Sequence, residues 1–207
     1  KVLGHRDFTL DWVSVYSFQC RRLAKFVHDR VVFAGDSAHI VSPFGARGGN
    51  GGIQDADNLA WKLALVLKGD APAGLIATYD EERVFGADEN ILNSARATSF
   101  MTPKTKMERL FRDSVLGLAS EHDFARRLVN SGRLSMATVY DSALATPDED
   151  VFAGSARLGA PAPDLPVRGR DGADSHLLQN IPGEFTLVTM KNGAVPQLPA
   201  GVRHISV

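Results

Sequence analysis

The chain has 207 residues, 44% of them hydrophobic, 8% aromatic and 23% charged, with a net charge of −1 and a pI near 6.7. That length suits one or two domains with a sizeable core, and the near-neutral balance gives no electrostatic basis for a nucleic-acid or anionic-membrane partner. A single cysteine, Cys20, rules out an internal disulfide or a Cys-rich zinc site, and no apolar run approaches the roughly 18 residues of a membrane span.

Residues 1–30 read as extended chain. Phe8, Leu10, Trp12, Val13, Val15, Tyr16 and Phe18 partly alternate, which predicts a strand with one buried face. The next run, Val31 to Ala34, is short, unbroken and rich in β-branched residues, and predicts a strand buried on both faces of a parallel sheet. Gly35 ends it, and Asp36 follows where ligand crevices lie in such sheets. A glycine-laden loop comes next, with Gly45, Gly48, Gly49, Gly51 and Gly52. So many side-chain-free positions carry an entropic cost, and unusual dihedrals or a ligand against the main chain justify it.

A helix is predicted from Ile53 to about Lys68. Ile53, Ala56, Leu59, Ala60, Leu63, Ala64 and Leu67 fall on one face, Asp55 and Asp57 in the first turn, and Gly69 at the stop. Its positive end and free N–H groups would face whatever the loop holds. Trp61 reads as a packing residue. From Ala71 a second helical region runs to about Ala95, with Asp80 to Arg83 as an exposed charged face, and Pro103 interrupts it. Met107, Leu110, Phe111, Val115 and Leu118 predict a third helix, and His122 to Val129 a short fourth. Between Gly132 and Gly159 periodicity fades around Pro147 and Asp148-Glu149-Asp150, as in a linker. Phe185 to Met190 and Val202 to Val207 read as strands.

The gapless run from Arg30 to Gly69, RVVFAGDSAHIVSPFGARGGNGGIQDADNLAWKLALVLKG, resembles the second flavin-contacting motif of the FAD-dependent aromatic hydroxylases, single-component flavoprotein monooxygenases of the phenol and 3-(3-hydroxyphenyl)propionate type. The family usually reads Gly-Gly-Gln-Gly-Met-Asn-Thr-Gly where this chain has Gly45 to Gly52. The resemblance implies an α/β fold: the C-terminal part of an FAD-binding, Rossmann-like domain over 1–130, a linker over 131–158, and over 159–207 the start of a thioredoxin-like domain lacking redox cysteines. It assigns Gly35 and Asp36 to the ribityl chain of FAD, and Pro43, Gly45, Ala46, Arg47, Gly48, Gly49 and Asn50 to the isoalloxazine ring. It implies hydroxylation of a phenolic or other small aromatic substrate with NADH or NADPH and O2, through a C4a-peroxyflavin.

Trp12, Tyr16 and Phe18 are candidates for an aromatic pocket or for core. His39 resembles a structural histidine of the family, and His5 is a weaker acid–base candidate. No catalytic residue is assigned and no metal site is expected. The GxGxxG fingerprint is absent and the chain begins at Lys1, so it reads as part of a larger, cytoplasmic protein, for which a homodimer is compatible. The other readings are a polyketide-type or Baeyer–Villiger flavin oxygenase, or a non-catalytic structural or dimerising fragment.

Overall fold

The structure, a computed structural model, describes residues 4, 7–129, 136–145, 157–168, 172–181, 183, 185–189 and 197–206. It divides into two compact units, 1–136 and 137–207.

The first unit opens on an extended, unpaired segment. Residues 7–19 are exposed and hold no regular structure, with Trp12 77% exposed, so the expected half-buried strand is absent. An alternating pattern becomes a strand only where a neighbour takes its N–H and C=O groups, and no described strand does so. Tyr16 and Phe18 stack on each other at 6.4 Å and line no described pocket.

Four two-residue strands follow: β1 (Arg21–Arg22), β2 (Val27–His28), β3 (Val31–Val32) and β4 (His39–Ile40). β2 and β3 form an antiparallel hairpin, with Val27 opposite Val32. Asp29 at the turn has φ +54, a left-handed conformation that Asp tolerates. β1 pairs antiparallel with β4. The parallel strand expected over 31–34 is thus a short hairpin arm with Val31 exposed: the nearby β2 supplies its partner across a tight turn, and none comes by a crossover. A single 3-10 turn, Gly35–Ser37, joins it to β4.

Two long helices carry the unit, α1 (Arg47–Lys68) and α2 (Leu75–Met101), packed on each other. Gly69 ends α1 in the left-handed conformation, as expected, its N–H returning to Leu65 and Val66. The start of α1 differs from expectation: residues 47–52 are its first turns, not a loop, so Asp55 and Asp57 lie beyond the first turn.

The buried face differs too. Ile53 is 70% exposed, and Leu63 and Leu67 are exposed, whereas Gly51, Asp55 and Lys62 are buried. On α2 the charged stretch is likewise not a solvated face: Glu82 and Arg83 are buried with Tyr79, Gly86, Ala87, Asn90 and Ser94. Periodicity reports which residues share a face, but these two faces meet through mutual ion pairs, Lys62 with Glu82 at 2.7 Å and Arg83 with Asp55 at 2.6 Å. Paired and hydrogen-bonded, buried charges become tolerable.

Beside this polar seam is a small apolar core of Phe26, Ala38, Tyr79 and Ala87, flanked by Val27, Val32, Phe33, Leu59 and Val84. Full burial of Phe26 contributes on the order of 2 kcal/mol. The Tyr79 hydroxyl donates to the Phe33 carbonyl at 2.8 Å, and Asp80 accepts from the Phe26 and Val27 amides, fastening α2 to the β2–β3 hairpin.

α3 (Lys106–Ala119) and α4 (Asp123–Val129) lie close to their expected bounds and pack on each other. Thr105 and Glu108 form a capping box at the start of α3. Arg126 donates to the last carbonyls, Ala119 at 2.8 Å and Ser120 at 2.9 Å.

The second unit holds the antiparallel hairpin β5 (Pro166–Arg168) and β6 (Asp174–His176), a four-residue helix α5 (Leu177–Asn180), and the parallel pair β7 (Phe185–Thr189) and β8 (Val202–Ser206). Both strands expected near 185 and 202 are present. His5 and most of the expected 131–158 linker lie outside the described residues.

Candidate functional site

The site forms where three backbone segments converge. Gly35 adopts φ +59 and opens the 3-10 turn that carries Asp36. Gly45 (φ +97) and Ala46 (φ +51) turn the chain into α1, with the Ala46 N–H bonded to the Pro43 carbonyl at 3.0 Å. These left-handed dihedrals favour glycine at 35 and 45 and strain Ala46.

The start of α1 carries no side-chain cap and no acidic residue in its first turn. The first four N–H groups of any helix lack an intrahelical acceptor, and the aligned peptides place about half a positive charge there. Glycine shapes the surface at this end. A Cβ on Gly52 would sit 3.5 Å from the Cα of Gly35, and one on Gly51 would sit 3.0 Å from His39 Cε1. The 3-10 turn therefore rests directly on the second turn of α1. At Gly49, by contrast, a Cβ would meet nothing within 4 Å, so packing within the protein does not require a bare backbone there.

Asp36 is exposed, and its carboxylate makes no hydrogen bond or ion pair among the described residues. With Ser37 it lines a cavity of about 290 Å³ bordered by β1 and β4. A partner-free acceptor, bare helix N–H donors and an open main-chain surface thus adjoin one another.

Of the residues the resemblance assigns to FAD, Gly35 and Asp36 lie in the turn, Pro43, Gly45 and Ala46 lead into α1, and Arg47, Gly48, Gly49 and Asn50 form its first turn; of these only Asp36 lines the cavity. Two side chains serve the scaffold. Asn50 donates to the Ala46 carbonyl at 2.8 Å, and Arg47 donates to Asn90 of α2 at 2.5 Å.

Sequence reading missed the cluster beneath the site. Asp55, with 0% exposure, accepts from the Gly35 N–H at 2.8 Å, bonds His39 Nε2 at 2.7 Å and pairs with Arg83 at 2.6 Å. Burial pushes the Asp55 carboxyl up, but the bonds from His39, Arg83 and the Gly35 amide, with the Arg83 charge, hold it below the usual carboxylate range. Burial pushes the Lys62 ammonium down, against Glu82, which pulls it up. The available signal was polar and small: Asp55, Asn58 and Lys62 of α1, and Tyr79, Arg83, Asn90 and Ser94 of α2, repeat at helical spacing with Gly51 and Gly86 on the same faces.

The FAD binding domain family matches residues 5–94. A 3-(3-hydroxy-phenyl)propionate/3-hydroxycinnamic acid hydroxylase of Comamonas testosteroni is 40% identical over 102 residues, covering 49% of this chain and 17% of that protein. YhjG of Bacillus subtilis (strain 168), described as an uncharacterized aromatic compound monooxygenase, is 32% identical over 195 residues, covering 91% of this chain and 37% of that protein. Among solved structures, the anhydrotetracycline hydroxylase OxyS of Streptomyces rimosus superposes with a TM-score of 0.66 at 27% identity, covering 90% of this chain and 37% of that one. The chain thus spans well under half the length of the relatives it matches. The residues forming the turn, the bare helix start and the polar seam lie within the stretch that matches the FAD binding domain family, and the relatives similar to this chain are FAD-dependent aromatic hydroxylases and monooxygenases.

Proposed function

We propose that this chain is the flavin-contacting part of an NAD(P)H- and O2-dependent monooxygenase that hydroxylates a small phenolic substrate. The observation that carries the reading is the uncapped, glycine-lined start of α1 beside the partner-free Asp36 carboxylate. Asp36 would accept a hydrogen bond from a ribityl hydroxyl, with Gly35 allowing the turn. Pro43 and Gly45 to Asn50 would form the surface against which the ring lies. When bound, FAD supplies hydride acceptance, activation of O2 and oxygen transfer. The helix start offers N–H donors and positive potential to the ring edge where negative charge develops on reduction, and so favours the electron-rich form without a lysine. Gly48 and Gly49, with no side chains, would let the ring lie close to the main chain.

A monocyclic phenol is taken from the relatives named for small aromatic substrates, the 3-(3-hydroxy-phenyl)propionate hydroxylase at 40% identity over 102 residues and the aromatic compound monooxygenase YhjG at 32% over 195. The test is NADH and NADPH oxidation by the intact protein, with O2 uptake, across a panel of phenols, anthracycline-like polyketides and cyclic ketones. Stimulation by phenols with formation of a hydroxylated product is the expected result. Turnover of ketones to lactones, or of polyketides alone, would replace the substrate class. A protein that binds no FAD would support the non-catalytic alternative.

A further inference from the structure

We propose that Asp55 is a positioning residue for the flavin contact: its buried carboxylate holds the Gly35–Asp36 turn in fixed register on the start of α1, so that Asp36 and the helix N–H groups address one ligand. The inference rests on the flavin reading above and concerns a residue that itself touches no ligand. Asp55 reaches from the third turn of α1 to the residue preceding Asp36, taking the Gly35 N–H on Oδ2 at 2.8 Å. The same oxygen bonds His39 Nε2 at 2.7 Å, which fixes the strand leaving the turn. Its other oxygen takes Arg83 Nε at 2.6 Å, and Arg83 Nη2 returns to the Gly51 carbonyl at 3.3 Å, one helical turn before Asp55. One carboxylate thereby ties both ends of the turn, α2 and the second turn of α1.

Net stability does not account for this cluster. A fully desolvated ion pair contributes little compared with a well-packed apolar pair of the same volume, whereas it fixes several groups in one geometry. Here the fixed groups flank Asp36. The absence of Cβ atoms at Gly51 and Gly52 lets turn and helix meet in direct contact, so the register has no slack.

The test compares Asp55→Asn with Glu82→Gln in the intact protein. Glu82→Gln weakens the other buried ion pair between the same two helices and serves as the control for stability loss. Three quantities are read: FAD affinity, the visible circular dichroism of bound FAD, and hydrogen exchange of the Gly35 amide in the FAD-free protein. Losing a charged hydrogen-bond acceptor is expected to weaken FAD binding about 10-fold or more in Asp55→Asn, with altered dichroism and faster Gly35 exchange. Glu82→Gln is expected to stay within about twofold of wild type in affinity, with Gly35 exchange unchanged. Equal effects of the two variants at matched loss of Tm, or unchanged Gly35 exchange in Asp55→Asn, would overturn the proposal. Should Asp55→Asn not fold, Arg83→Lys keeps the charge but not the fork to Asp55 and Gly51, and is expected to shift the same readouts in the same direction. A wild-type protein that binds no FAD defeats the flavin reading and this use of the clamp, while Gly35 exchange separately reports whether the clamp exists.

Discussion

Gly49→Ala separates the requirements of the fold from those of the ligand. Gly49 is the third residue of α1, and a methyl group there would meet nothing within 4 Å. Alanine exceeds glycine by about 0.8–1.0 kcal/mol in helix interiors, so a gain of about 0.5–1 kcal/mol is expected near the helix start. The ligand-free variant should melt a few degrees above wild type. With FAD present the methyl group occupies the surface assigned to the ring. A tenfold loss of affinity removes about 1.4 kcal/mol of ligand-linked stabilisation at saturation. The stability order therefore crosses: the variant is more stable without FAD and less stable with it. Gly51→Ala provides the contrast, because its Cβ would lie 3.0 Å from His39 Cε1 and 3.6 Å from Asn90 Nδ2. His39 is buried and bonded to Asp55, so overpacking of about 1–3 kcal/mol outweighs about 1 kcal/mol of propensity in both states. Thermal melts with and without FAD, with a direct FAD titration, check both variants. Affinity of Gly49→Ala within twofold of wild type would show that the surface above Gly49 is not the ligand face.

Three further outcomes follow from the seam between α1 and α2 and the core beside it. Lys62→Met leaves Glu82 buried with only part of its compensation and should cost about 3–5 kcal/mol in urea unfolding, while the double replacement Lys62→Met/Glu82→Leu should recover most of that loss. Tyr79→Phe removes the 2.8 Å bond to the Phe33 carbonyl and should cost about 1 kcal/mol by the same assay; no loss would mean that the bond is replaced by water. Because Asp55 titrates lower in the folded than in the unfolded chain, whose value is about 3.9, the folded state binds fewer protons across that interval. Its contribution is complete above the unfolded value and is lost as pH falls through the folded one. Urea midpoints measured from neutral pH down to about pH 3 should therefore drop more steeply for wild type than for Asp55→Asn, and parallel curves would contradict this.

Helix ends were legible wherever local chemistry sets them. Gly69 stops α1 through its left-handed dihedral and Pro103 lies just past α2, whereas the Thr105–Glu108 capping box that starts α3, though equally local, went unread. The start of α1 was not legible, because Gly48, Gly49, Gly51 and Gly52 have poor helix propensity, and the packing of Gly51 on His39 and of Gly52 on Gly35 is tertiary. The buried face of α1 was misread for a related reason. Apolar spacing at 53, 56, 59, 60, 63, 64 and 67 and polar spacing at 55, 58 and 62 are both helical, and only the partners on α2 decide which face is buried; of the apolar set Leu59 packs against the core. The strand expected over 7–18 failed because pairing needs a partner that the local pattern does not reveal, whereas the one over 31–34 is present at Val31–Val32 but pairs locally with β2 rather than in a parallel sheet. Asp36 and the glycine stretch stood out because an acidic residue at a strand end and clustered missing side chains are visible locally; the fold accounts for Gly51 and Gly52 by close packing, but places nothing against Gly49.

The central claim is that the Asp36 carboxylate and the bare start of α1 hold FAD together, and the most direct test is FAD titration of the intact protein against its Asp36→Ala variant. Asp36 is exposed and partner-free, so the substitution should change stability by no more than about 0.5 kcal/mol. Wild type should be yellow with one FAD per chain, and the variant should bind FAD about 10-fold more weakly or worse. Wild-type affinity in the variant, or a wild-type protein indifferent to FAD, would contradict the assignment.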